Sequence, residues 1–277
     1  RDVCAYLSFH QKKQATVKSP WIENVNINSA ENNIIVSIEK NEACSRYCGV
    51  SISGITVAES PLWLQQKLKS IGLKSINNIV DITNFILHET GQPLHAFDAD
   101  QIKGNRIIVK TVAEGTLFKT LDEKERKLSE NDLMICDETE PLCIAGVYGG
   151  LNSGVTSKTT SIFLESAHFD KGFIRKTALK HDLRTDAATR FEKGVDISNT
   201  LKVLIRAATL VKEIAGGEIK GELIEVFPNP KEKTEIEFHY DYLKKLSGKT
   251  YPNSDVKAIL TALGFEILNE QENQIQL

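Results

Sequence analysis

Between positions 106 and 165 the chain is broken into five short apolar runs, at 106–112, 116–121, 133–136, 142–148 and 161–165, each bounded by turn-forming residues. Runs of this length are too brief for helices, and their spacing suits strands joined by tight turns, so this part of the molecule has to be built on sheets. The acidic stretch 122–125 falls between two of the runs as a hairpin turn. An earlier alternating segment, Tyr47-Cys48-Gly49-Val50-Ser51-Ile52, supplies a further strand.

Helical segments flank these strands. Ser60-Pro61 offers an N-cap hydroxyl and a proline at the first helical position, Leu64, Leu68 and Ile71 recur on one face, and Gly72 can stop the turn. A second helix is predicted over 75–90, with Ile76, Ile79, Val80, Thr83 and Leu87 on its buried side and Gly91 after it. Two more are predicted over 170–180 and 198–215, the latter closing at Gly216-Gly217, followed by a strand over 219–227. Pro228-Asn229-Pro230-Lys231 opposes regular structure and reads as a linker. Beyond it, 235–239 reads as a strand and 240–246 and 254–263 as helices. The fold class is therefore α+β.

Composition narrows the function. A chain of 277 residues with 41% hydrophobic and 26% charged residues is that of a globular protein with room for two domains. Its net charge of −3 argues against a protein that coats long stretches of nucleic acid, but not against one that grips a few nucleotides. No apolar run approaches the roughly 20 residues needed to cross a bilayer, and the opening Arg1-Asp2-Val3-Cys4-Ala5-Tyr6 does not read as a signal peptide, so a cytoplasmic location away from membranes is expected. The five cysteines, Cys4, Cys44, Cys48, Cys136 and Cys143, lack paired CxxC spacing and read as reduced, mostly core thiols.

Four segments carry a family resemblance. Ile79-Val80-Asp81-Ile82-Thr83-Asn84-Phe85, running on through Gly91-Gln92-Pro93-Leu94-His95-Ala96-Phe97-Asp98, is followed by Ile144-Ala145-Gly146-Val147-Tyr148-Gly149-Gly150 and Leu164-Glu165-Ser166-Ala167. The last is Leu183-Arg184-Thr185-Asp186-Ala187-Ala188-Thr189-Arg190-Phe191-Glu192-Lys193-Gly194-Val195-Asp196. In order and spacing they resemble the β-subunit of bacterial phenylalanyl-tRNA synthetases, over about residues 44–226. The resemblance implies a linker segment at 1–43, a layered mixed-sheet editing domain with packed helices at 44–228, and at 234–277 the beginning of a small helical, winged-helix-like module that the chain does not finish.

The resemblance also implies an activity. Members of the family join a separate α-subunit that carries the ATP-dependent synthetic site, in an (αβ)2 assembly, and the β-subunit removes tyrosine wrongly attached to phenylalanine tRNA. ATP and magnesium belong to the complete enzyme; for this segment the resemblance implies no metal and no cofactor. The expected partners are the 3′ end of phenylalanine tRNA and the α-subunit. A pocket shaped for phenylalanine rejects tyrosine only about 10²-fold, whereas a second site that bonds the phenolic hydroxyl rejects phenylalanine by roughly 10⁴–10⁵.

By the same resemblance, Glu165 recognises the tyrosine hydroxyl and His95 holds the ester or the attacking water, these two being the expected catalytic residues. On the residues alone, Glu165 reads as a strand-end carboxylate in a structural salt bridge and His95 as a capped loop residue. Gly149, Thr185 and Ala187 match positions that line the substrate pocket, and Lys74 stands where the family often has an arginine near the terminal adenosine. Read without the family, Gly149 is a tight turn needing positive φ, and Thr185 and Ala187 are loop residues. Arg175, Lys176, Lys180, His181, Arg184, Arg190 and Lys193 form a basic stretch that reads either as a solvated helix face or as a guide for the tRNA end.

The expected chemistry is attack of water on the ester, since no serine or cysteine sits in a nucleophile motif such as GxSxG and Ser166 has no evident base. The competing readings are a non-catalytic module that positions tRNA and assembles subunits, and an independent esterase acting on simple tyrosyl esters.

Overall fold

The structure is a computed structural model that describes residues 1–11, 14–21, 34–230 and 233–277. The polar stretch at 22–33, part of the expected linker, lies outside the described residues, as does Lys231. In chain order the elements are α1 (Asp2–Gln11), β1 (Ile35–Ile38), β2 (Cys44–Ile55), α2 (Leu62–Ser70), α3 (Asn78–Thr90), β3 (Leu94–Asp98), β4 (Arg106–Thr111), β5 (Leu117–Lys119) and β6 (Glu125–Lys127). They continue with β7 (Leu133–Cys136), β8 (Pro141–Ile144), β9 (Tyr148–Gly149), β10 (Ser161–Phe169), α4 (Lys171–His181), α5 (Asp186–Lys193), α6 (Thr200–Ala215) and β11 (Gly216–Val226). Last come β12 (Glu237–His239), α7 (Tyr240–Ser247), α8 (Asn253–Leu263), β13 (Asn269–Glu270) and β14 (Gln274–Gln276). The chain divides into two compact units, residues 21–229 and the paired segments 1–20 and 230–277.

The larger unit is organised by a four-stranded antiparallel sheet of order β11-β2-β10-β3 that is buried on both faces. Because side chains alternate along a strand, each central strand feeds two cores. On one face Val50 and Ile52 of β2, Ala96 of β3, and Ile162 and Leu164 of β10 pack against Leu64 and Leu68 of α2, Ile79, Ile82 and Ile86 of α3, and Val203, Leu204, Ala207 and Val211 of α6. On the other face Tyr47, Phe97, Phe163, Ala167 and Phe169 meet Ile107, Val109, Ile135 and Ile144 of a second sheet, together with Ile174 and Ala178 of α4 and Ala188 and Phe191 of α5. That second sheet has the order β1-β4-β7-β8-β9, with β1 parallel to β4 and the rest antiparallel. The unit is thus helices on sheet on sheet, a layered α+β arrangement. Gly49 is what lets the layers close: a Cβ there would lie 2.2 Å from Cζ of Phe163, whose ring rests on the β2 backbone.

The entry to α3 departs from the sequence pattern. Helix was expected from position 75, with Ser60 as a cap for the preceding helix. Instead Ser60 Oγ donates to Asp81 Oδ2 at 2.6 Å, Ser75 Oγ donates to the same oxygen, and Ile76 N donates to Asp81 Oδ1 at 2.9 Å. With both segments committed to Asp81, α3 begins only where Asn77 accepts from Val80 N. Ile76 is left 67% exposed and Ile71 50% exposed, both against expectation, because each sits outside the helical turn that would have turned it inward. Gly91 closes α3 in the left-handed region, as its type requires.

β3 and β1 are among the elements that periodicity did not show. β3 has only five residues and its sequence Leu-His-Ala-Phe-Asp alternates between two buried faces, so it shows no polar side. β1, in the stretch expected as linker, pairs with β4 from Ile35↔Arg106 to Ile38↔Val109.

In the smaller unit β12, β14 and β13 form an antiparallel sheet in that order, α7 and α8 lie between β12 and β13 in sequence, and α1 packs on α8. Ala5, Val256, Ile275 and Leu277 are its buried apolar side chains. The expected strand and two helices are present; β13 and β14 were missed because 269–276 is almost wholly polar.

Asp81 is fully buried and satisfies three donors from two segments. Replacement by alanine strands those donors, so Asp81→Ala is expected to lower unfolding free energy by about 2–3 kcal/mol, with a smaller loss for Asp81→Asn, measured by urea denaturation of the full chain.

Candidate functional site

A cavity of 270 Å³ opens between the central sheet, the β8–β9 turn and the start of α5. Its walls are Thr83, Asn84 and Leu87 of α3, Pro93 to His95 entering and on β3, and Leu121 from the β5–β6 turn. Cys143, Gly146 to Gly149, Glu165, Thr185 to Ala187 and Phe191 complete it. Of the six residues that the sequence singled out, His95, Gly149, Glu165, Thr185 and Ala187 all line this one space. Lys74 does not: it lines a separate concavity beside α2 with Glu59, Gln65, Gln66 and Lys69.

Glu165 stands in β10 between Phe163 and Ala167 on the same face, directly opposite His95 of β3. It is 5% exposed, and burial pushes its carboxyl up to about 7, with the Tyr47 hydrogen bond opposing the rise. Tyr47 Oη, fully buried in β2, donates to Glu165 Oε2 at 2.7 Å. Among the described residues Oε1 has no partner within the chain, which leaves one carboxyl oxygen for whatever enters the cavity. The salt bridge expected from the residues alone is absent; the partner is a tyrosine that the sequence reading did not connect to the site, since the two are 118 positions apart.

His95 packs edge-on to Phe97, with ring centroids 4.4 Å apart. The residue is half-buried, yet its Nε2 is enclosed and has no hydrogen-bond partner. Burial pulls its pKa down to about 4, so the ring is neutral at ordinary pH, with one nitrogen left without a partner. A strand, not a capped loop, holds it, and that is why it meets Glu165.

Gly149 is not at a positive φ, contrary to the turn expected of it. Its lack of a side chain serves space instead: a Cβ would come within 2.8 Å of Leu121 Cδ1 and 3.2 Å of His95 Cε1. Thr185 is the N-cap of α5, its Oγ1 accepting from Ala188 N at 3.0 Å and donating to Val147 O at 2.9 Å, which ties α5 to the β8–β9 turn. Ala187 lies in the first turn of that helix. The amides of Asp186 and Ala187 have no acceptor within the described chain and belong to the cavity wall, where the helix N-terminus favours negative charge.

The two possible nucleophiles are disposed of by placement. Burial, followed by the Glu165 charge, raises the Cys143 thiol well above its ordinary pKa, so it stays protonated. Ser166 points to the opposite face from Glu165 and donates to Thr200 O at 2.8 Å. Among the described residues no three His, Cys, Asp or Glu side chains gather as metal ligands, and no helix is long and apolar enough to cross a membrane.

Residues 43–216 match the family model described as the B3/4 domain. The phenylalanine–tRNA ligase β subunit of Bacteroides thetaiotaomicron is 49% identical over the whole chain, which covers 34% of that protein. The corresponding subunit of Porphyromonas gingivalis is 47% identical, again over the whole chain and 34% of its own length. That of Carboxydothermus hydrogenoformans is 40% identical over 96% of the chain and 33% of its own length. The chain therefore spans about a third of the length of the curated relatives it matches. A solved N-terminal fragment of the phenylalanyl-tRNA synthetase β-subunit from Pyrococcus horikoshii aligns with 91% of the chain and 70% of its own at 16% identity and a TM-score of 0.45, a likeness too low to carry more.

The two titrating side chains pull stability in opposite directions. Glu165 has its folded pKa raised from 4.5 to about 7, so its contribution is full below pH 4.5 and lost as pH rises through 7. His95 has its folded pKa lowered from 6.5 to about 4, so its contribution is present above pH 6.5 and lost as pH falls through 4. In Glu165→Gln the first slope disappears, and unfolding free energy should rise with pH between about 5 and 6.5 where the parent's is flattened, as read by urea melts across that range. A second variant, Tyr47→Phe, removes the one hydrogen bond that opposes the burial shift, so the Glu165 pKa should move further up, measurable by carbon NMR of labelled glutamate.

Proposed function

Because the chain belongs to the B3/4 domain family, we propose that its cavity hydrolyses tyrosine from mischarged phenylalanine tRNA, as part of the β subunit of a phenylalanine–tRNA ligase. The observation that carries this reading is the buried Glu165 carboxyl, with one oxygen held by Tyr47 and the other free toward a space of amino-acid size. At 270 Å³ the cavity falls below the roughly 300–1,000 Å³ of sites for drug-sized ligands and suits one ring. A phenolic hydroxyl donates to Glu165 Oε1, whereas the ring of phenylalanine leaves that oxygen dry and unpaired.

The reacting end of the substrate then lies toward His95, Gly149 and α5. His95, with a pKa of about 4, is too weak a base to drive proton abstraction at neutral pH; it acts as a neutral hydrogen-bonding group that orients the ester or the water through Nε2. The free amides of Asp186 and Ala187 offer stabilisation to the oxygen that gains charge as water adds to the carbonyl. Gly149 keeps the way open between Leu121 and His95. Lys74 lines a separate concavity and does not line this cavity.

The second reading, a module that positions tRNA without hydrolysing it, is favoured by the weak basicity of His95, whose pKa burial pulls down to about 4. The complete enzyme, its α-subunit in an (αβ)2 assembly and its cytoplasmic setting belong to the proposal and not to the chain alone.

Release of labelled tyrosine from tyrosyl-tRNA of the phenylalanine type, with phenylalanyl-tRNA alongside, separates these readings. Selective tyrosine release is expected, rising with pH through about 7 as Glu165 becomes the stronger acceptor, and losing both its selectivity and this dependence in Glu165→Gln. Equal release of both amino acids, or none from the assembled enzyme, would retire the editing role. In Gly149→Ala the added methyl presses Leu121 and His95 into the cavity, and tyrosine release should fall at least tenfold with little change in melting temperature.

A further inference from the structure

Leu121 lines the cavity, but its own burial does little to hold it there. It is 47% exposed and sits in the turn between β5 and β6, two strands of three residues whose ladder joins only each other. A two-stranded ribbon of this size is marginal in water. Its turn also carries Glu123 at a φ of 62°, a region that a residue with a side chain enters at a cost. Backbone bonds from Leu121 N to Gly149 O and from Leu151 N to Lys119 O, both 3.1 Å, tie the edge of the hairpin to the β9 segment. They leave the direction of the Leu121 side chain to the turn itself. That direction matters, because Leu121 Cδ1 lies against Gly149 next to His95, and a shift there changes the space between them.

Arg126, in the middle of β6 and opposite Phe118, supplies what the ribbon lacks. Its side chain is 13% exposed, and its guanidinium donates in three directions. Nε donates to Thr120 Oγ1 at 3.1 Å and Nη2 to Asp122 Oδ2 at 3.0 Å, so one group holds the residues on both sides of Leu121. Nη1 donates at 2.8 Å to the carbonyl oxygen of His181, the last residue of α4. His181 is itself fixed: its Nε2 is 2.7 Å from Asp132 Oδ2, and the same buried carboxylate accepts from Thr177 Oγ1 at 2.7 Å and from Ser129 N at 2.8 Å. Three acceptors in set directions suit a planar fork and not the single ammonium of a lysine.

We propose that Arg126 is a positioning residue of the site: braced on the end of α4, it fixes Leu121 against Gly149 and so sets the width of the cavity beside His95. Arg126 does not line the cavity and acts through Leu121. Its effect on catalysis rests on the editing reading of this cavity; its hold on the wall does not.

Cys143 reports on that wall without any substrate. It lines the cavity at 4% exposure, whereas Cys44, Cys48 and Cys136 are equally buried and line no part of it. Iodoacetamide labelling of the full chain, read thiol by thiol by peptide mass spectrometry, is expected to run roughly tenfold faster at Cys143 in Arg126→Met and to stay unchanged at the other three. Arg126→Lys, which keeps the charge but not the fork, is expected to behave like the methionine variant. Unchanged labelling of Cys143 would overturn the proposal. Equal gains at all four thiols would do the same, since the arginine would then only stabilise the fold. In the assembled enzyme, Arg126→Met is expected to raise KM for tyrosine release roughly fivefold with kcat little changed, and to add nothing in a Leu121→Ala background. A cost that persists in that background would sink the role. Absence of tyrosine release from the parent enzyme would count against the editing reading alone, because the labelling still decides for Arg126.

Discussion

A carboxyl group on the inner face of a doubly buried sheet is expensive, and the arrangement around Glu165 follows from that expense. Its strand neighbours on the same face are Phe163 and Ala167, and the second sheet closes over them. Without compensation the charged form would be costly enough to keep the group neutral, and the rise of its pKa to about 7 is the residue of that cost. Tyr47 meets half of the need by donating to Oε2. The other half is left open on the cavity side, and an open requirement in a water-poor space is what makes a site discriminating, because only a ligand with a donor in the right place can meet it. Fold stability would be better served by an apolar residue at 165.

The same logic applies across the strand pair. His95 is directly opposite Glu165, yet the two form no ion pair, since burial keeps the imidazole neutral while it raises the carboxyl to about 7. A charged pair would have locked both side chains to each other. Two incompletely bonded groups instead leave Nε2 and Oε1 without partners in the chain, at the cost of two opposed pH dependences of stability.

Much of the scaffold was legible in sequence and little of the site was. The strands at 106–111 and 133–136, the hairpin turn near 122–125, and the helices at 171–181 and 200–215 could be placed because turn residues and apolar spacing mark them. β3 could not, because a strand buried on both faces loses its alternation. Glu165 looked like a salt-bridge carboxylate because its partner is a tyrosine 118 positions away, and Gly149 looked like a left-handed turn because space around a backbone leaves no local trace. Thr185 and Ala187 looked like loop because α5 is only eight residues long. It was resemblance to a family, not periodicity, that named five residues lining one cavity, and resemblance likewise that named Lys74, which lines another.

The brevity of α5 has a consequence of its own. Eight residues do not hold a helix in water, so α5 exists only through what it is fastened to. Ala188 and Phe191 anchor it in the inter-sheet core, and Thr185 bonds both its own first turn and Val147 O. The β8–β9 turn that carries Gly149 and the helix start that carries Ala187 are thereby parts of one rigid corner. Geometry at the α5 end of the cavity is then set by core packing and a single hydroxyl, not by loop mobility. In a short helix pinned in this way the inner and outer faces cannot move independently.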